Sequence, residues 1–156
     1  IQHNGERGYT RMHWLMACLM SQPGIPCIYY GDEIADVGGN DPDNRRMMRF
    51  SGWNDSEQET WNMTRDWIAL RKSRMSLLYG QCSYSTQESA PGVLAIERTY
   101  LEEKTLTLIN TASTEAHFPL SSKSHSTVLT GNATVHGNVV VLPPSACVAL
   151  DVTPLL

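Results

Sequence analysis

No apolar run in these 156 residues approaches the roughly 20 that a membrane-spanning helix needs. Trp14–Met20 is apolar but short, and no A-x-A-like site follows it, so residues 1–20 do not read as a signal peptide. Cysteine is sparse. Cys18, Cys27, Cys82 and Cys147 lack C-x-x-C spacing, which excludes a zinc ribbon and a dithiol redox motif. They are expected to be small buried apolar groups, with a Cys82–Cys147 bridge as the remaining option. The redox compartment is therefore undecided, and the localisation is unknown. Positive charge is also short: 12 Lys and Arg against 16 Asp and Glu leave −4, which argues against nucleic-acid and anionic-membrane partners. The chain has no internal repeat and no low-complexity tract, and it opens "IQHNGERG" without an initiator Met, so it is expected to be a fragment or a processed piece.

Several chemistries lack their residues. His3, His13, His117, His125 and His136 accompany no nucleophile elbow and read as surface or structural. No glycine-rich run leads into a Lys-Ser/Thr pair, so a phosphate cradle is excluded. Asp41, Asp43 and Asn44 hint at a calcium loop, but the EF-hand pattern wants Gly and Glu where Arg46 and Gly52 stand. Sequons stand at Asn54, Asn62 and Asn132, of which Asn62 falls inside a predicted helix.

What remains is a chain able to bury a core, 41% hydrophobic and 18% charged, in two halves of different pattern. Tyr9, Met12, Leu15, Met16, Leu19 and Met20 recur at helical spacing, and "QPG" ends that helix at Gln22–Gly24. "IPCIYYG" is a continuous apolar run that suits a strand buried on both faces of a parallel sheet. Ser56 and Glu59 have capping-box spacing, opening a second helix that ends in Arg71, Lys72 and Arg74, cations suited to its dipole. Beyond Gly80 come "VLAIERTY", "KTLTLIN", "STVLT", "NVVVL" and "ACVALDV". Turns at Ala90–Gly92, Glu102–Lys104, Gly131–Asn132 and Pro143–Pro144 separate them, as in an antiparallel sandwich or barrel. All four Trp precede Tyr79, so the second half offers few rings for stacking on a ligand.

Between the halves lies "GGNDPDNRR". Gly38 and Gly39 permit positive φ or a close backbone approach to a ligand. Asp41 and Arg45 are four apart, so one helical turn from Pro42 brings their side chains together. A carboxylate beside a guanidinium accepts and donates at neighbouring points, which suits vicinal hydroxyls on a sugar. A salt bridge that merely stiffens the loop is the alternative. Trp53 either stacks on a sugar or packs beneath the loop. Glu33 and Asp32 are expected to stay off the sugar, Glu33 tying the strand end to neighbouring loops, and Arg46 and Arg49 to be solvated or paired with Asp43 and Asp36.

Pro23–Phe50 resembles the eighth-strand region of the α-amylase family of retaining glycoside hydrolases. Gly24, Pro26, Ile28, Tyr29, Tyr30, Gly31 and Glu33 match its "G-x-P-x-I-Y-Y-G-x-E". Gly38, Gly39, Asn40, Asp41, Pro42, Asn44 and Arg45 match its "G-G-N-D-P-x-N-R". Phe50 replaces a frequent Trp. Neopullulanase, cyclomaltodextrinase and α-amylase-like members are the nearest in type. The resemblance implies α/β plus all-β architecture: residues 1–78 as the last part of a (β/α)8 barrel, and 79–156 as a C-terminal antiparallel β-sandwich. It implies an α-glucan substrate, with Asp41 and Arg45 hydrogen-bonding a glucose beside the reacting ring. The family's three carboxylate motifs are not found in this chain, so no catalytic residue, metal ligand or cofactor is expected here. Calcium is left open for the parent enzyme and unsupported by this segment. A transglycosylase or isomerase of the family, or a non-catalytic carbohydrate-binding module, are the alternatives. Oligomeric state is unknown.

Overall fold

The computed structural model describes residues 5–120 and 126–153, so His3 and His125 lie outside the described residues. The apolar stripe forms helix α1, Glu6–Ser21, with Met16, Ala17, Met20 and Ser21 buried. Gln22 turns extended ahead of Pro23 and ends the helix, because the residue before a proline avoids the helical region. Helix α2 spans Asp55–Ser73, and the short α3 spans Met75–Tyr79. The capping box of α2 lies two residues earlier than the Ser56–Glu59 spacing suggests. Asn54 accepts from the Glu57 N–H at 2.9 Å, and the Glu57 carboxylate accepts from the Asn54 N–H at 2.9 Å. Asn54 and Glu57 share the same three-residue spacing, and Asn is as good a cap as Ser.

Eight strands follow: β1 Gln81–Gln87, β2 Ala90–Tyr100, β3 Glu103–Asn110, β4 Ala116–Pro119, β5 Thr127–Gly131, β6 Thr134–His136, β7 Val139–Leu142 and β8 Cys147–Asp151. They form two antiparallel sheets, ordered β1-β2-β3-β8-β5 and β4-β7-β6. All five runs named from sequence supply strands. The β2–β3 hairpin turns at Leu101–Glu102 and pairs Tyr100 with Glu103. Ala90–Gly92, by contrast, is the start of β2, and the turn is Glu88–Ser89.

Side chains on successive strand residues point to opposite faces, and here both faces of the larger sheet are covered. Val93, Ala95, Leu106, Leu108, Val148 and Leu150 pack on Ala116, Phe118, Val140 and Leu142 of the smaller sheet. Their neighbours Leu94, Ile109, Cys147 and Ala149 pack on Met16, Met20, Trp67 and Leu77 of the helices. Trp67 is 1% exposed. Burying a side chain of such size contributes about 2–3 kcal/mol. The Trp14 indole also donates to the Ser145 carbonyl at 2.8 Å, tying α1 to the turn before β8.

Two expectations fail. Ile25–Tyr30 joins no sheet, and Ile25 is 98% exposed. A strand needs a neighbour for its N–H and C=O groups, and every strand among the described residues is committed to an antiparallel ladder. All four cysteines are free and none is fully buried: Cys27 is exposed, and Cys18, Cys82 and Cys147 are half-buried. A Cys82–Cys147 bridge is ruled out because β2 and β3 stand between β1 and β8, and adjacent strands lie about 4.8 Å apart.

Candidate functional site

The segment after Ile25–Tyr30 folds on itself through local polar bonds. Gly31 is left-handed, a single 3-10 turn covers Asp32–Ile34, and the Asp36 N–H returns to the Gly31 carbonyl at 2.8 Å. Glu33 accepts from the Gly31 N–H at 2.7 Å, and Asp32 from the Tyr29 N–H at 3.3 Å. These carboxylates hold their own turn, whereas the sequence suggests Glu33 tied to neighbouring loops; the Gly31 N–H two residues back is the nearer donor. Burial pushes the Asp32 carboxyl above its ordinary range, against the Tyr29 N–H.

A second turn carries the predicted pair. The Asp43 carboxylate accepts from the Gly39 N–H at 2.8 Å, and the Asp43 N–H donates to Asn40 at 2.8 Å. A 3-10 turn over Asp43–Arg45 follows the cis Asp41–Pro42 peptide. Gly38 and Gly39 are absent from the positive-φ positions. Gly38 instead packs closely on the chain itself, where a Cβ would stand 3.0 Å from the Asn44 Cα. Arg46 donates to Asp43 at 2.9 and 2.6 Å, and these bonds hold the Asp43 carboxyl below its ordinary range, aided by the Gly39 N–H.

Asp41 and Arg45 are brought together. The Arg45 Nε donates to one Asp41 oxygen at 2.5 Å and an Nη to the other, while both side chains stay largely exposed, at 63% and 59%. Two of five guanidinium N–H groups and two carboxylate lone pairs are used in a bidentate pair. The structure therefore shows the salt bridge named as the alternative in the sequence, on an exposed part of the loop. Beside the turn is a pocket of about 210 Å³ lined by Tyr29, Tyr30, Asp36, Asp43, Arg46 and Met47, among others. Trp53 packs beneath the loop: its indole donates to the Arg49 carbonyl at 3.1 Å, and its ring lies 5.3 Å from that of Trp61. Arg49 reaches Asp36, as the sequence suggests, and also Glu57, which sequence reading missed because the eight-residue separation obeys no local spacing rule. Among the described residues no group of three His, Cys, Asp or Glu side chains could hold a metal ion.

No family model matches the chain. It is 35% identical over 120 residues to a cyclomaltodextrinase of Thermoanaerobacter pseudethanolicus, covering 71% of this chain and 20% of that protein. Over 106 residues it is 33% identical to a cyclomaltodextrin glucanotransferase of Paenibacillus macerans, covering 68% of this chain and 14% of the other. Its fold superposes on an α-amylase of Geobacillus thermoleovorans, solved with acarbose, with a TM-score of 0.77 and 27% identity over 92% of this chain and 33% of that one. The chain thus spans about a fifth or less of the length of the curated relatives it matches. The matched sequence, the sandwich and the loop agree: this chain belongs to the α-amylase family of glycoside hydrolases.

Proposed function

We propose that this chain is part of a glycoside hydrolase that cleaves α-glucosidic bonds of starch-type saccharides with retention, and that its share of the work is to position substrate. In a retaining mechanism two carboxylates about 5 Å apart form and hydrolyse a glycosyl-enzyme intermediate. Those carboxylates belong to motifs that these residues do not contain, so they come from elsewhere in the enzyme. Asp41 and Arg45 hydrogen-bond the hydroxyls of a glucose next to the reacting ring. Binding energy gathered there orients the bond to be broken.

The observation that carries this reading is the exposed bidentate Asp41–Arg45 pair, which keeps unused donors and acceptors side by side. A pair serving stability alone gains little in such exposure. The run Ile25–Tyr30 and the helices fit the closing part of a (β/α)8 barrel: Ile28, Tyr30, Trp61, Thr64 and Ile68 line an open groove of about 440 Å³, where a further strand and helix would pack. Asp41→Ala in the full-length enzyme is expected to raise KM for maltooligosaccharides about tenfold, the effect of losing one hydrogen-bonded anchor. Its melting temperature should stay at the wild-type value. Unchanged KM would leave the pair as scaffold.

A second reading is transfer to a sugar acceptor, favoured by the similarity to a glucanotransferase. Product analysis with and without added glucose separates the two: hydrolysis releases short sugars regardless, whereas transfer yields acceptor-dependent products.

A further inference from the structure

We infer that Arg49 is a positioning residue for the Asp41–Arg45 turn, a clamp that closes the base of the loop; the inference rests on the substrate-binding reading above. The loop leaves the turn over Asp32–Ile34 at Asp36 and re-enters ordered helix at Asn54. Arg49 reaches both ends. Its Nε donates to Asp36 at 3.1 Å, one Nη donates to Glu57, and the other stands 3.4 Å from the second Glu57 oxygen. Its backbone carbonyl accepts the Trp53 indole N–H at 3.1 Å. Glu57 in turn belongs to the α2 capping box, so the clamp is anchored on the capped end of a 19-residue helix.

The surroundings separate this arrangement from a surface ion pair. The Arg49 side chain is 37% exposed but its partners Asp36 and Glu57 only 20% and 11%, whereas Asp41 and Arg45 are 59% and 63% exposed. Hydrogen bonds to Glu57 and then Asp36 raise the Arg49 pKa above its ordinary value. Removing one partner of a part-buried network strands the other charges, which costs more than losing an exposed pair. Asp36 also lines the pocket beside the turn, and its neighbour Val37 leads directly into Gly38 and Gly39. Each bond inside the turn spans only three or four residues, namely Gly39 to Asp43, Asn40 to Asp43 and Pro42 to Arg45. They shape the turn without fixing where it stands. Arg49 supplies the longer tie, joining positions 13 and 8 residues away on the two sides.

The test is amide hydrogen exchange and steady-state kinetics of the full-length enzyme on maltotetraose, for wild type, Arg49→Met, Arg49→Lys, Asp41→Ala and, as control, the exposed Glu88→Gln. Arg49→Met should speed exchange of the Gly39, Asp43 and Arg45 amides about tenfold while the β3 and β8 amides keep wild-type rates, since local opening is separable from global unfolding. It should also raise KM with kcat held within about twofold. Arg49→Lys, which cannot fork to both acids, should fall between. Uniformly faster exchange, or loop exchange at the wild-type rate, overturns the clamp. If Asp41→Ala raises KM and Arg49→Met does not, the clamp fails while the substrate reading stands. If Asp41→Ala leaves KM alone, the substrate reading fails, and the exchange pattern still decides whether Arg49 holds the loop.

Discussion

The Arg98 guanidinium of β2 donates to the carbonyl of Ser21, the last residue of α1, across 2.9 Å of buried interior. A second Nη donates to the Gly80 carbonyl at 2.9 Å, and Arg71 of α2 similarly holds the carbonyls of Met20, Gln22 and Gly24. The last turn of α1 has no basic residue of its own. The carbonyls of Met20 and Ser21 in that turn are satisfied by two arginines from other elements, which complements the negative end of the helix dipole.

Arg98→Met tests this junction. The substitution relieves the cost of burying a charge, a burial that lowers the Arg98 pKa. It also leaves two carbonyls without donors, at about 1–3 kcal/mol each. The second effect should win, because Met offers no donor and the site is closed to water. Urea denaturation is expected to show a loss of about 2 kcal/mol, and a variant as stable as wild type would show that water replaces the guanidinium.

Gly131 ends β5 at φ +88, and a Cβ there would stand 2.1 Å from the Cys147 carbonyl oxygen and 2.8 Å from the Val148 Cα. Both obstacles are backbone of the paired strand β8, so they cannot swing aside. Gly137 has φ +60 with nothing within 4 Å. Gly137→Ala should therefore cost only the left-handed backbone penalty, about 1 kcal/mol. Gly131→Ala should cost about 3 kcal/mol, measured by thermal melting of both variants. Equal losses would mean that β5 shifts freely off β8.

The sandwich was legible because alternating Val, Leu, Ile and Thr runs bounded by turns impose a period of two, and Leu94–Val93 or Ala149–Val148 sort themselves between faces without further information. Three strands escaped notice for different reasons: β1, "QCSYSTQ", is a polar edge strand with no apolar face, while β4 and β6 are too short to show a period. Asp41 and Arg45 were legible from their four-residue spacing. The Glu57 half of the Arg49 clamp was not, since it depends on where α2 starts. Ile25–Tyr30 misled in the other direction: an apolar run reports that burial is favourable, but whether a strand forms depends on a neighbour that sequence pattern does not locate.

The start of α2 gives a sharp test, because two adjacent sequence signals compete for it. Asn54 holds the Glu57 N–H, whereas the Ser56 hydroxyl reaches only the Glu6 carboxylate at 3.4 Å. Asn54→Ala should cost about 1 kcal/mol, the usual worth of an N-cap, and Ser56→Ala under about 0.5 kcal/mol. Chemical denaturation distinguishes them. A larger loss for Ser56 would move the helix start two residues on.

His13 provides the pH-dependent prediction. Its imidazole lies between α1 and α2, 3.0 Å from the Thr60 hydroxyl, and burial lowers its pKa from 6.5 against the opposing pull of Glu59. The neutral form is thus the one the fold accommodates. In the unfolded chain His13 takes a proton near pH 6.5, whereas in the folded chain it does so at lower pH, so the unfolded state binds more protons in the interval between. Stability contributed by His13 is fully present above pH 6.5 and is lost as pH falls through the folded value. The melting temperature should drop between pH 7.5 and pH 5, and His13→Gln, which keeps a partner for Thr60 but cannot titrate, should flatten that part of the profile. A wild-type profile that stays level across the interval, or one that slopes identically in His13→Gln, would assign the dependence to other groups.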